Sequence, residues 1–180
     1  MKLRPLLPDD AQVLRDFAVM TYRRAYQGSL ADDEIDLRIA DKHRPEGFRT
    51  LLEDPSHVFF GLFDGDTLLG FFHMSFSSRS ETCSTEGLAE IVRFYVHPDH
   101  QGQSLGRQLM NQAQQTCLAA GFRGLWLHNF DQNIGGILFY QKMGFRIEGR
   151  DPFEIVPGRV RFDFVFTKRF EHARQEVASI

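Results

Sequence analysis

The sequence predicts one mixed α/β domain, and three observations point there. The chain has 180 residues, the length of a single domain at roughly 100–200 residues each. Segments with a strand period alternate with segments with a helix period along nearly all of it, in the order β α α β β β α β α β β, with no internal repeat and no linker. Eighteen residues are Phe, which predicts a core built largely from aromatic rings. A chain this long buries about two thirds of its unfolded surface, so it needs no disulfide framework.

The elements follow in order. A short strand lies around Lys2–Pro5. Pro8-Asp9-Asp10 then supplies a cap and first-turn acids for a helix from about Ala11 to Tyr26, where Leu14, Phe17, Ala18, Tyr22 and Ala25 recur near helical spacing. Gly28 closes it. The acidic stretch Asp32 to Asp36 leads to a second helical region, restarted by Pro45-Glu46 and running to about Glu53. Val58–Phe63 and Thr67–Phe76 flank Asp64-Gly65-Asp66, a hairpin signal. Ser77–Gly87 is small and polar and reads as an exposed loop. Glu90–Val96 is a strand stopped by Pro98, Gln101–Gly106 a turn, and a helix follows to about Ala120, with Leu105, Leu109, Ala113 and Cys117 on its apolar stripe. Gly124–Asn129 is the next strand and Asn133–Met143 the next helix, ended by Gly144. Phe145–Gly149 and Val160–Thr167 form the closing pair, the second with Phe162, Phe164 and Phe166 alternating against Arg161 and Asp163. Residues 1–170 make the domain, and 171–180 read as a fraying tail.

Composition narrows the partners. Twenty-one basic against 24 acidic side chains leave a net charge of −3 and a pI near 6.2, which argues against a nucleic-acid binder. Two cysteines without metal-ligand spacing fit a reducing compartment, and no metal is expected. A mean hydropathy of −0.31 and the lack of a long apolar run exclude a membrane span. Met1 to Pro5 has no apolar segment of a secretion signal. The expectation is a cytoplasmic protein.

The chemistry concentrates between Glu90 and Arg107. There a strand runs into a glycine-containing turn that opens a helix, and the freed backbone N–H groups of a helix start form an anion site. Gly102 and Gly106 let a phosphate approach the chain, and Arg107 adds charge. The pattern is neither G-x-G-x-x-G nor a P-loop. A second segment, Asn133 to Phe145, is a short helix that starts with Asn and ends in Gly-Phe.

Together the two segments resemble the GNAT superfamily of acyl-CoA-dependent N-acyltransferases, weakly its bacterial polyamine-acetylating branch. That family's pyrophosphate loop reads Gln/Arg-x-x-Gly-x-Gly/Ala. Gln101 and Gly106 match it, and Ser104 stands where its first Gly belongs. Its later helix reads Asn-x-x-Ala-x-x-Phe-Tyr-x-x-x-Gly-Phe. Asn133, Phe139, Tyr140, Gly144 and Phe145 match, with Gly136 in place of Ala. The resemblance implies a twisted, mostly antiparallel sheet of six to seven strands, splayed at the cofactor and flanked by about four helices.

It also implies acetyl transfer from acetyl-CoA to a primary amine by direct attack. The cofactor-binding residues would be Phe94, Tyr95, Val96, Gln101, Gly102, Gln103, Ser104, Leu105, Gly106, Arg107, Asn133 and Tyr140. An alkyl ammonium has a pKa near 10.4, so a base must take its proton before attack. Glu90 is the candidate, since Ala-Glu-Ile-Val resembles the stretch carrying the base in the histone-acetylating branch and Glu is otherwise depleted in strands. The backbone N–H of Val96, at a bulge where the strand splays, would bind the carbonyl oxygen as it gains charge. Tyr140 occupies the general-acid position for the leaving thiolate, and Asn133 either bonds the pantetheine or caps its helix. Ser104 has two readings as well: its Cβ crowds the pyrophosphate, or its hydroxyl donates to it and caps the helix. The second is favoured.

Other residues fit bland roles better. Cys117 belongs to a core, His73 is a satisfied strand histidine, and His97 and His100 are too few for a metal site. The Asp32–Asp36 run is a solvated loop or an acceptor wall that draws a cationic amine. The acceptor is expected to be a small molecule. A peptide acceptor would need a groove between the Gln27–Ala40 and Asp151–Gly158 loops, and a non-catalytic acyl-CoA sensor would not need Glu90 and Tyr140. An apolar sheet edge or the Phe-rich closing strands offer a homodimer surface.

Overall fold

A computed structural model describes residues 1–170; the expected tail, 171–180, lies outside the described residues. One sheet of seven strands has the order β1-β2-β3-β4-β5-β7-β6. The strands are β1 (Lys2–Pro5), β2 (His57–Asp64), β3 (Thr67–Ser75), β4 (Ala89–Val96), β5 (Gly124–Phe130), β6 (Arg146–Glu154) and β7 (Val160–Arg169). Every neighbouring pair is antiparallel except β4 and β5. The helices are α1 (Ala11–Tyr26), α2 (Asp32–Lys42), α3 (Pro45–Glu53), α4 (Leu105–Ala119) and α5 (Ile134–Lys142).

The one helical region read between Asp32 and Glu53 is thus two helices, which makes five where about four were expected. The cause is local. His43 leaves the helical region at φ −123° and ψ 41°, and Arg44 is extended, as a residue preceding proline prefers. The closing strands run longer than the sequence suggests, because β6 continues through Pro152 opposite Phe162. β6 is an edge strand, where a missing N–H is tolerated.

The sheet carries a core on each face. On one face α4 and α5 cover Phe72, Met74, Ile91, Leu127 and Phe166, joined by Leu105, Leu109 and Tyr140. On the other, α1 and α3 bury Phe17, Phe48, Phe59 and Phe71, and a third cluster gathers Tyr22, Ile35, Ile39 and Phe130 under α1 and α2. Gly65, at φ +56°, makes the β2–β3 reversal. Gly70 is needed for close approach, since a Cβ there would lie 2.7 Å from the Tyr95 carbonyl oxygen. Among the described residues no helix is long and apolar enough to cross a membrane.

Candidate active site

The site begins where the sheet comes apart. β4 and β5 pair only at Ala89 with Leu125 and Glu90 with Trp126. Beyond that rung β4 carries a bulge, with Val92 the extra residue opposite the His73–Met74 step. A bulge bends a strand and increases its twist, and here β4 leaves β5 from that point. The bulge lies four residues earlier than the sequence reading placed it, and Val96 pairs regularly with Gly70. The orientation expected of Val96 nevertheless follows. His97 N–H donates to the Leu69 carbonyl oxygen at 2.8 Å, and alternation along an antiparallel ladder turns the N–H groups of Phe94 and Val96 the other way, into the opening. Tyr95 differs. Its backbone faces β3, and its ring packs edge-on against Phe71 at 5.5 Å on the α1 side.

A groove of about 810 Å³ runs from this opening across the turn after β4. Gln101, Gly102, Ser104, Leu105, Gly106 and Arg107 line it, whereas Gln103 is exposed and does not. The first intrahelical bond of α4 is Gln108 N–H to Ser104 O at 3.1 Å. Among the described residues the N–H groups from Gly102 to Arg107 donate to no protein acceptor. With Gly102 at φ +80° and Ser104 at φ +63°, they form the concave nest that suits a phosphate. Gly106 has another duty than the sequence suggested: a Cβ there would come 3.0 Å from the Phe139 ring, so it lets α5 pack onto α4.

The far wall is α5. Tyr140 is 8 % exposed, with Phe94, Phe139, Phe145 and Phe166 around its ring at 5.3–6.3 Å. Burial pushes its phenol well above the usual value, so the hydroxyl stays protonated. The helix start is held by a clasp: the Asn133 cap, one of the two roles the sequence offers for that residue, and a link to Asn129 that the sequence does not foretell. Asn133 caps α5 by accepting from Gly136 N–H at 3.1 Å, and its amide donates to Asn129 Oδ1 at 3.0 Å. Asn129 donates in turn to the Phe130 carbonyl at 2.9 Å. Asn133 keeps one amide donor free for a ligand. The only sequence signal was Gly136: a Cβ there would collide with the amide atoms of Asn129 and Asn133.

Residues 18–145 match the acetyltransferase (GNAT) family. The chain belongs to that family. The co-substrate of this acetyltransferase is acetyl-CoA. It is similar to the spermidine N(1)-acetyltransferase of Thermoplasma acidophilum, 25% identical over 95% of this chain and 98% of the relative. Among solved structures, the PaiA N-acetyltransferase of Thermoplasma acidophilum in complex with coenzyme A superposes with a TM-score of 0.78 at 24% identity, covering 94% of this chain and 98% of that one. Arabidopsis thaliana NAA60 with a bisubstrate analogue gives 0.71 at 17% identity, covering 94% and 97%. These structural likenesses concern the fold.

Several expectations need revising. Ser104 does not cap α4: it makes no side-chain cap bond and is the one non-glycine residue at positive φ among those described. Its left-handed backbone costs about 1–2 kcal/mol, whereas glycine there forfeits about 0.5–1 kcal/mol of chain entropy. Ser104→Gly should therefore raise the Tm of the ligand-free acetyltransferase by roughly 1–4 °C, at about 2–4 °C per kcal/mol for this size. A fall on calorimetry would show that the hydroxyl holds something after all.

The acidic run is neither a loop nor a free attractor of amines. It opens α2, where Asp33 pairs with Arg159 at 2.9 Å and the fully buried Glu34 takes Arg161 at 2.8 Å. Those pairs tie α2 to the β6–β7 turn, and Arg161 holds the Glu34 carboxyl below its usual range.

Glu90 stands on the last paired rung, opposite Ser75 and beside Trp126, and does not line the groove. His73 accepts from Arg93 at 2.8 Å and meets His57 at 2.9 Å; Arg93 also holds the Lys42 carbonyl at 3.0 Å. Cys117 is buried and donates to the Gly124 carbonyl at 3.0 Å, and burial pushes its thiol up to about 11, as suits a core residue. Among the described residues no group of three or more His, Cys, Asp or Glu is placed to hold a metal.

Proposed function

We propose that this acetyltransferase moves the acetyl group of acetyl-CoA to a primary amine of a small molecule, by direct attack within a ternary complex. The observation that carries the reading is the open seam, where β4 parts from β5 and Phe94, Val96 and Tyr140 line one groove. The nest from Gly102 to Arg107 takes the pyrophosphate, and the seam takes the pantetheine arm as an added strand would be taken. The Val96 N–H, with Phe94 beside it, steadies the carbonyl oxygen as negative charge gathers there, at no reorganisation cost.

Glu90 accepts the ammonium proton. At about 3.3 Å per residue it stands roughly 10–13 Å along β4 from Phe94, so that proton travels through water. Tyr140 donates to the sulfur as the C–S bond breaks. The tyrosinate left behind is the stronger base, since a tyrosine phenol near 10 is less acidic than a thiol near 8.5, so it regains a proton from the solvent relay as the free thiol leaves. The similarity to the Thermoplasma spermidine enzyme supports a small acceptor.

The test is release of free thiol from acetyl-CoA over a panel of amines and lysine peptides, at several pH values, for the wild type and Glu90→Gln. Small amines should be used in preference to peptides. Glu90→Gln should lose most activity at neutral pH and least near the amine pKa. Equal loss at every pH would remove Glu90 as the base, and turnover of peptides alone would overturn the small-molecule reading.

A further inference from the structure

Beyond β5 from the seam, β7 carries a carboxylate without an ion-pair partner among the described residues, outside the groove's own lining. Asp163 lies in β7 in one row with Phe130 of β5 and Asp151 of β6. Paired residues in a sheet share a face, so Asp163 sits on the side of α1 and α2, beside Phe130. The Phe130 ring packs on Tyr26 at 5.8 Å and on Phe153 at 6.0 Å, and Tyr26 on Tyr22 at 4.4 Å. Asp163 is therefore half-buried against an aromatic wall, and Tyr26 also lines the groove that reaches the seam.

Each neighbouring carboxylate has an ion-pair partner and Asp163 has none among the described residues, although Asp151 Oδ1 is itself buried without a partner. Asp151 is paired with His128 at 2.7 Å, and Asp131 with Arg150 at 2.7 Å. Arg38 of α2 and His128 are near enough to favour the charged form, and Asp131 and Asp151 to oppose it. Yet among the described residues no donor or ion-pair partner reaches the Asp163 carboxylate. Burial pushes its carboxyl up to about 6, because the loss of water outweighs the help of His128 and Arg38. Such a charge destabilises a fold unless a counter-ion meets it, and an aromatic wall welcomes a cation.

We propose that Asp163 anchors a second positive charge of the acceptor, so that the enzyme selects diamines and polyamines over monoamines. This rests on the small-amine reading above. Asp163 stands one strand beyond β5, across the open seam from β4. An acceptor whose amine is acetylated in the seam reaches it across a spacer of several methylenes that runs past Tyr26 at the groove wall. The anchor acts in binding and leaves the acetyl-transfer step alone.

Butanediamine and butylamine separate the possibilities, since they share a chain and differ in the second charge. Asp163→Asn should raise KM for butanediamine by roughly ten- to a hundredfold, the size of a charge-assisted hydrogen bond. Both kcat and the constants for butylamine should hold. Without ligand the variant should melt no lower than the wild type, because an uncompensated charge is replaced by its neutral isostere. Equal effects on both amines, or none, would overturn the anchor. A lower Tm would reveal a structural partner and overturn it too. If the wild type releases thiol with neither amine nor with spermidine, the small-amine reading itself falls, and the anchor with it.

Discussion

Tyr140→Phe is expected to lower kcat by roughly ten- to a thousandfold, the range of a lost general acid, with the affinity for acetyl-CoA nearly unchanged. The change deletes one oxygen and keeps the ring. Phe fills the same space among Phe94, Phe139, Phe145 and Phe166, so α5 should pack as before. No hydrogen bond to the Tyr140 hydroxyl exists among the described residues to be lost, and removing an unmatched hydroxyl at the groove wall does not destabilise. The variant should therefore melt at or above the wild-type temperature while turning over slowly. Single-turnover thiol release measures the chemical step directly. A rate within twofold of wild type would remove Tyr140 from proton transfer and leave it a packing residue.

Gly136→Ala should cost activity through geometry instead of chemistry. In an open helix alanine is favoured over glycine by about 1 kcal/mol, so a bland reading predicts a gain. Here the new methyl meets Asn129 Oδ1 and the Asn133 amide. Side-chain ends usually swing aside, but this one is held: the Asn129 amide donates to the Phe130 carbonyl, its oxygen accepts from Asn133, and the residue is 6 % exposed. Overpacking of this kind costs about 1–3 kcal/mol. The start of α5 must shift, and Tyr140 with it. We expect a fall in kcat of roughly tenfold or more, since misplacement by about 1 Å can cost a hundredfold. Asn129→Ala in the same chain should restore much of the loss and recover the helix preference of alanine. Steady-state kinetics on the three variants checks this, and additive losses would show that the clasp does not couple the two positions.

Much of the nest and of α5 was legible because glycine and proline announce backbone geometry. Gly102 and Gly144 both occupy positive φ, and Pro98 and Gly144 bound the elements where the sequence put them. The seam was legible only through resemblance, since nothing in Ala89 to Val96 says how many residues a parallel partner will match. Contacts between distant residues were not legible at all. Glu34 finds Arg161, 127 residues on, so an acidic run that looks solvated locally becomes a buried clamp. Asn129 looked like a strand end. Asp163 looked like the wet side of an alternating strand because period alone cannot show that α1 and α2 cover that side as well. The bulge was misplaced for a related reason: an extra residue leaves the apolar pattern of β4 nearly intact.

The two rungs between β4 and β5 have a consequence for the life of the molecule. A sheet parted in its middle presents two strand borders to solvent, and unpaired borders recruit strands from other chains. The ligand-free form is thus the one exposed to clumping, although its two apolar cores are complete. On the binding mode proposed above, coenzyme in the seam would shield both borders and, by binding only the native state, add to its stability. A copy without its acyl carrier should then be lost to aggregation sooner than one that holds it, which light scattering with and without acetyl-CoA would check.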